Sequence, residues 1–596
     1  MSDAIGQHTP RAWSPPAPGW AVVAVVAAFV AVQLVVVSSS TLWDDDEGRF
    51  ARSAVEMVRS GEYLVPTLNG ELRLHKPAMV YWLMAGAMRV LGPGELAVRL
   101  PSILGMAGAA VVTFLIGGRM FGGRVGLMAM VVFAGSALPF VMGGLATADG
   151  TLIFFTTLAC WAVVESVVAP RAGWGGALRF VVLGLAIGGA QLTKGPVGLA
   201  VPVLMAVTLA VLLRRGRGGA TGGSSLQWTR GHTMGVAAAA VAGTAIFLAW
   251  GIPANLATRG AFASEGLGRH VFHRALNPME GHGSNDLLAY LALLPLYLGV
   301  LIPGTFPWVV HLPGAVSAMV RRHVGDAGTR AILWAWIVPN LVLFSLVVTK
   351  LPHYILPIFP AVAVAIAATL QAHRDGQLGV KDRAWLRGGV WFFVPVAVVA
   401  AVAMVVVAGG ALATATGERS ALWVGGAMGA MAALPLVVAL LLVVPWQLRE
   451  RTAAVNAVLV IAAPLTLLLT AATVVPAVEM LKAAPELARD TRAEGDLPVW
   501  ENGFDQPSFI FYLDQPVGRP VRELRGEGPD VRRWLRDPEP ALLVIRGDRL
   551  ATLERRFGPL QLTRLFEREV VDYSSELQRR TLVVLRRGPV DAAESP

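Results

Sequence analysis

Charge is scarce in this chain. Asp, Glu, Lys and Arg together make 15% of 596 residues, where a soluble chain of this length carries about a quarter. Cysteine is scarcer still, with Cys160 alone and set inside an apolar block. One thiol excludes an internal disulfide and a thiolate metal cluster, so Cys160 reads as a small core residue. Also missing are an internal repeat, a long low-complexity segment, a tight metal-ligand spacing such as HExxH, and any basic helix or RNA-binding motif. The last absence bears on the formal charge of +10. Many of the arginines fall in short loops between apolar blocks, as membrane topology demands, so no nucleic acid is expected as a partner.

What the chain has is apolar residue in blocks. Hydrophobic residues reach 55% and mean hydropathy is +0.59. The blocks are about 20 residues long, enough to cross a hydrocarbon core of roughly 30 Å. They run over 20–40, 98–117, 124–143, 149–168, 178–193, 197–213, 234–254, 287–310, 329–348, 354–372, 389–411, 420–444 and 453–476. The expected fold class is therefore a polytopic α-helical membrane protein of thirteen spans. Residues 1–19 form a Pro-rich polar tail. Only a weak small-residue cleavage site, at 37–40, follows the first block, which reads as a retained helix. With the tail in the cytoplasm, alternate loops carry Arg119/Arg124, Arg171/Arg179, Arg214/Arg215/Arg217/Arg230, Arg321/Arg322/Arg330, Arg374/Lys381/Arg383/Arg387 and Arg449/Arg451. The short opposite loops are poorer in basic residues, as the positive-inside rule requires.

Three segments are then expected outside. Loop 41–97 opens with Phe50, Ala51, Ala54, Val55 and Val58 on one helical face and Arg49, Arg52, Glu56 and Arg59 on the other. That pattern suits a short helix in the membrane interface. A second apolar stretch, 78–91, is too short to span and is expected to lie flat. Loop 255–286 is rich in basic and imidazole groups, including Arg269, Arg274 and His282. The transmembrane part thus covers 20–476, and 477–596 alternates charged helical runs with short strands at 497–500, 541–545 and 581–585. The tail of the chain reads as a small α/β domain with its own core.

Polar chemistry gathers at the outer ends of the spans. Asp44, Asp45, Asp46 and Glu47 follow the first block directly. Acids at a helix start complement the macrodipole and cap free amides. Four in a row repel one another, however, which favours a functional or cation-paired role, with Arg49 close by to hold a carboxylate ionised. Asp149 is a lone carboxylate at the start of the fourth block. It serves equally well as a cap or, facing the interior, as a functional group. Lys76, Lys194 and Lys350 all lie on the side where basic residues are few, each close before a proline. One bound anion accounts for all three, although lysines at such depths also snorkel to headgroups. His75, His273, His282 and His353 share that side. Without tight spacing they leave a divalent cation as a secondary reading, and no cofactor is required.

The motif Asp46-Glu47-Gly48-Arg49-Phe50-Ala51 is followed by Glu56-Met57, Gly61-Glu62-Tyr63-Leu64-Val65-Pro66, Leu68-Asn69-Gly70, and Lys76-Pro77 with Tyr81-Trp82. This run resembles the aminoarabinose lipid A transferases, polyprenyl-phosphate-dependent glycosyltransferases of the GT-C class related to protein O-mannosyltransferases. The likeness continues through Ala97-Val98-Arg99-Leu100-Pro101-Ser102, Asp149, Leu192-Thr193-Lys194-Gly195-Pro196, Gly281-His282-Gly283 and Lys350-Leu351-Pro352-His353-Tyr354. It covers most of 40–360 and, more weakly, Pro507-Ser508-Phe509-Ile510-Phe511-Tyr512-Leu513. The resemblance implies thirteen spans with an outer C-terminal domain. It also implies that Asp46 is the principal first-loop carboxylate, Asp149 the second, and Lys76 the lysine that meets the donor phosphate. Two positions depart from the family pattern: His75 stands for a frequent glutamate and Phe50 for a common tyrosine.

The implied reaction moves a sugar from a polyprenyl-phosphate donor to an envelope acceptor at the outer leaflet of a bacterial inner membrane. Lys76, Arg49 and Arg269 or Arg274 would offset charge developing on the leaving phosphate. Asp46, with Glu47 beside it, would act as base or acceptor-orienting group, and Asp149 would support the site. His75, Tyr81, Lys194, His282, Lys350, His353 and Tyr354 complete the expected substrate-binding set. Membrane lipids surround the chain, which is expected to act as a monomer. A transporter or flippase of a lipid-linked sugar is the alternative; it predicts charges near mid-bilayer in matched halves of the chain, which the sequence lacks. A non-catalytic envelope scaffold is a further class.

Overall fold

The computed structural model describes residues 18–43, 46–215, 226–273, 276–277, 286–503, 507–513, 521–524, 528–572 and 578–588. The chain opens with α1 (Gly19–Ser38), α2 (Asp46–Ser60), α3 (Met79–Leu91), α4 (Glu95–Phe121), α5 (Gly123–Ala134) and α6 (Ala137–Gly144). Long apolar helices follow: α7 (Asp149–Val168), α8 (Trp174–Lys194), α9 (Val197–Arg215), α10 (Arg230–Ala257), α11 (Leu287–Gly304), α12 (Ala327–Leu346), α13 (Pro352–Arg374), α14 (Val380–Thr416), α15 (Ala421–Leu448) and α16 (Thr452–Glu479). Twelve of these are long and apolar enough to cross a membrane, and α5 with α6 makes a thirteenth if the bent pair is one span. This is a multi-pass membrane protein.

The expected straight span at 124–143 is bent by 61° between α5 and α6. Ser136 takes an extended conformation there, and the Ala137 amide donates to the Phe306 carbonyl instead of to its own helix. The short blocks on either side of Gly195-Pro196 are both full helices. Gly195 ends α8 at φ +66°, a left-handed conformation that glycine adopts without strain. Helix α13 is 94% buried, which makes it the centre of the bundle. Indole rings at the helix starts remain open, as at Trp20, Trp174 and Trp423, the positions of an interfacial aromatic belt.

Loop 41–97 holds both expected short helices. Between them, β1 (Thr67–Leu68) and β2 (Glu71–Leu72) form a hairpin. Asn69 and Gly70 turn it with positive φ values of 56° and 79°, as a two-residue hairpin requires. Glu56 ties the hairpin to α2 by accepting from Thr67 Oγ1, the Asn69 amide and the Gly70 amide. The polar face of α2 is only partly open, with Arg59 exposed and Arg49 half-buried. Arg52 is buried and pairs with Glu56 at 2.9 Å, because α2 is packed on two sides.

After the last span come α17 (Ala484–Ala493), β3 (Val499–Asn502), α18 (Pro507–Leu513), β4 (Val521–Glu523), α19 (Pro529–Arg536), β5 (Ala541–Arg546), α20 (Gly547–Phe557), β6 (Thr563–Asp572) and β7 (Gln578–Arg587). The five strands run in the order β4-β3-β5-β7-β6. Strand β3 is parallel to β4 and β5, and β7 is antiparallel to β5 and β6. Alternate side chains of β5 and β7 enter different cores. Leu542, Val544, Leu582 and Val584 pack with α17 and α18, while Leu543, Ile545, Val583 and Leu585 pack with α19 and α20. The unit is a three-layer α/β sandwich, and its α18 layer rests on α2. A Cβ on Gly48 would stand 2.6 Å from the Ser508 amide nitrogen, so glycine is what lets the two backbones meet.

Candidate active site

Three elements bring the charged ends together. Asp149 opens α7, Lys194 closes α8 and His353 lies in the first turn of α13. Lys194 Nζ donates to Asp149 Oδ1 at 2.6 Å, and His353 Nε2 lies 3.7 Å from Oδ2. A lysine at the C-terminal end of a helix and an aspartate at the N-terminal end of another each complement a macrodipole. The approach of α4 to α7 is set by glycine. A Cβ on Gly150 would come within 2.6 Å of Ser102 Cα, and one on Gly105 within 2.4 Å of the Gly150 carbonyl.

These groups line a cavity of about 340 Å³. His75, Lys76 and Tyr354 also line it, together with Leu152, Ile153, Ala200, Leu267, Leu343 and Phe344. One end is therefore ionic and the wall between the spans is apolar. Tyr354 frames the cation: the Lys194 ammonium sits 5.1 Å from its ring centroid. The charge of Lys76 acts on Asp149 and on His353. Asp46 is exposed in the first turn of α2 and does not line the cavity, yet its charge also acts on His353.

Glu47, expected to share the chemistry of Asp46, is occupied elsewhere. Its carboxylate takes Arg99 Nε at 2.9 Å and the Ala146 amide at 2.7 Å on Oε1. On Oε2 it takes Arg99 Nη2 at 2.8 Å and the Trp43 amide at 2.9 Å. With 2% of its surface exposed, it has no oxygen to offer a substrate. Arg99 in turn donates to the carbonyls of Val37, Ser40 and Thr41. One buried pair thus fixes the end of α1, the start of α2 and the strip 146–149 that leads into Asp149.

A second clamp comes from the C-terminal part of the chain. Glu479 accepts from the Thr41 amide and hydroxyl at 3.0 and 2.5 Å. Lys482 donates to the Thr41 carbonyl at 2.9 Å and stands 3.8 Å above the Trp43 ring; burial lowers the pKa of this lysine. Tyr512 of α18 accepts from the Leu42 amide at 2.7 Å. Residues 41–43, which lead toward the Asp46 helix, are thus held from both ends of the chain.

The matches to known proteins agree with this architecture. The model of the family described as dolichyl-phosphate-mannose-protein mannosyltransferase matches residues 75–252. An undecaprenyl phosphate-alpha-4-amino-4-deoxy-L-arabinose arabinosyl transferase 2 from Sodalis glossinidius is 29% identical over 351 residues, 59% of each chain. The corresponding transferase from Edwardsiella ictaluri is also 29% identical, over 357 residues and 59% of each chain. The matched region therefore spans 59% of these curated relatives. Among solved structures, ArnT from Cupriavidus metallidurans bound to undecaprenyl phosphate superposes with a TM-score of 0.72 at 20% identity. That match covers 96% of this chain and 100% of the other. The chain has the GT-C fold.

Within the GT-C scaffold, Lys76, His75, Asp149, Lys194, His353 and Tyr354 meet at one cavity, and the rest of the expected set is dispersed. Tyr81 is fully buried beneath α2, where its hydroxyl takes Arg73 Nε at 3.0 Å and burial raises its pKa. Lys350 points away, donating to the carbonyls of Phe344 and Ser345 at the end of α12. Arg49 is half-buried on α2, and Arg269 is exposed on the π-type helix Phe262–His273, whose Phe262, Gly266 and Leu267 do line the cavity. Arg274 and His282 lie outside the described residues, as do Asp44 and Asp45. Among the described residues no three His, Cys, Asp or Glu side chains converge as a metal site would require. Sequence reasoning missed Arg99, Arg73, Glu479 and Lys482 as members of the supporting shell. Arg99 was readable as a charge inside an apolar block, which needs a buried partner.

Proposed function

We propose that this chain is a glycosyltransferase that moves a sugar from a polyprenyl-phosphate donor to an acceptor at the outer face of a bacterial inner membrane. The supporting observation is the cavity itself, in which Lys76 and Lys194 stand at one end of an apolar passage between spans. A lipid phosphate carries both features that such a cavity recognises, an anion and an apolar chain. The relatives with matching sequence are named for undecaprenyl phosphate sugar transfer, and the matching fold has been solved with undecaprenyl phosphate.

The bond between the anomeric carbon and the phosphate oxygen breaks, and its electron pair leaves with the polyprenyl phosphate. An acceptor oxygen forms the new bond to that carbon and releases its proton if it arrives as a hydroxyl. Lys76 stabilises the charge gathering on the departing phosphate as a positioned cation. Asp149 is committed to Lys194, so it holds the cationic wall in place and leaves the acceptor proton to another group. Asp46, exposed beside the cavity, orients the acceptor or takes that proton. The N-terminal tail lies in the cytoplasm and the α/β unit on the far side, with loop 41–97.

The test is transfer of an isotope-labelled sugar from a lipid-linked donor in vesicles reconstituted with the full-length chain. Transfer is expected with the wild type and cut by about 10²–10³ in Lys76→Gln. A chain that redistributes the donor across the bilayer without transferring its sugar would instead be a flippase, and the proposal would be wrong.

A further inference from the structure

We infer that the face of the α/β unit turned away from the spans carries a second anion site, built for a phosphorylated, sugar-sized ligand. This inference does not rest on the transfer reading.

The site follows from how α19 folds. Val531 and Trp534 are buried against the sheet, which puts Arg532, Arg533 and Arg536 on the helix face opposite that core. Across from them, α20 ends in Arg556 and Phe557. Between the two helices lies a cleft of about 660 Å³, lined by these residues and Asp537. Its one carboxylate is already used: Arg587 Nη2 reaches Asp537 Oδ2 at 3.3 Å, while Arg587 Nε donates to the Glu539 carbonyl. Arg532, Arg533 and Arg536 form no salt bridge among the described residues. The three arginines of α19 therefore face the cleft without a matching acid among the described residues.

One guanidinium from each helix is pre-oriented by an aromatic ring. The guanidinium carbons of Arg532 and Arg556 lie 5.6 and 5.7 Å from the centroid of the Phe557 ring, so less side-chain freedom is lost on binding. Planar donor forks suit phosphate oxygens, which accept paired hydrogen bonds. The volume falls in the range of small-molecule sites and exceeds what a bare ion fills. The cleft also belongs to the sheet face opposite α18, which is the layer that meets α2. A lipid headgroup in the surrounding bilayer is thus on the wrong side, and the ligand is a polar body arriving from the aqueous phase.

The test titrates the full-length, detergent-solubilised protein with inorganic pyrophosphate and with fructose bisphosphate by calorimetry. Saturable binding is expected for both, tighter for the bisphosphate. It should weaken roughly tenfold or more in Arg532→Gln/Arg536→Gln and less in Arg532→Lys/Arg536→Lys, which keeps charge but loses the fork. Arg555→Gln and Lys76→Gln should retain it. All of the substituted arginines are exposed, and an unchanged unfolding midpoint checks that the fold is intact. Equal affinity in the glutamine pair, loss of all binding in Lys76→Gln, or tighter binding of polyglutamate than of either phosphate would each overturn the inference, the last by pointing to an acidic protein.

Discussion

Asp46 and Glu47 are neighbours in sequence, and a helix turns about 100° between adjacent side chains. One carboxylate therefore stays open and the other enters the protein, where it meets Arg99, 52 positions along the chain. Their substitutions should part company accordingly. Glu47→Gln removes the charge that compensates a guanidinium 1% exposed, and breaking such a pair costs about 3–5 kcal/mol. A lowered unfolding midpoint in detergent, with activity falling alongside it, is the expected result; an unchanged midpoint refutes the supporting role. Asp46→Asn should leave stability within about 0.5 kcal/mol and cut transfer by roughly a hundredfold or more. Near-normal transfer would remove Asp46 from the mechanism. Lys76→Gln should lower the rate by a similar factor, about 10²–10³, since it withdraws one stabilising donor from the leaving group. The sequence revealed that acids cluster after the first span and left open which of them is buried, because that depends on a distant partner.

At the scale of elements, the spans were legible because a bilayer demands a fixed apolar length, and thirteen blocks match twelve helices and one bent pair. The C-terminal strands show where such reading stops. Strands β3, β5 and β7, found from sequence within a few residues, are interior to the sheet and apolar. The missed β4 and β6 are its two edges, and edge strands carry charge, as Arg564, Glu567, Arg568 and Glu569 do in β6. The Asn69-Gly70 hairpin was also present in the sequence, since that pair is a strong turn signal, but strands of two residues leave no alternation to read. The crossing of α4 and α7 was not legible at all, because it depends on which glycines oppose each other. It yields a sharp test. Gly150→Ala should force the helices apart, cost about 1–3 kcal/mol and move Asp149 away from Lys194, lowering transfer. Gly86→Ala in α3, where a Cβ meets nothing within 4 Å, should leave both stability and transfer intact. If the two variants behave alike, close packing at Gly150 is not what sets the site.

Across the whole molecule, α7 orders the two sides of the membrane. Asp149 begins it, and Glu165 lies 16 residues on, about 24 Å by helix rise. At that far end Glu165 faces Arg119, Arg171 and Arg179 at 3.2, 3.8 and 3.5 Å, a concentration of cations of the kind that the positive-inside rule assigns to the cytoplasm. The Asp149 end is the one reached by loop 41–97, and α18 packs on that loop through Gly48 and Tyr512. The α/β unit, the clamp on residues 41–43 and the cavity must then share the face opposite the arginines. The scarcity of cysteine makes this arrangement directly measurable. Cys160 is fully buried, so the natural chain presents almost no background to a thiol reagent. In spheroplasts, a membrane-impermeant maleimide should label Arg555→Cys on α20 at once. Lys381→Cys, exposed at the start of α14 in the basic loop 374–387, should label only after the membrane is opened. The reverse pattern would turn the cavity toward the cytoplasm, and with it the proposed site of sugar transfer.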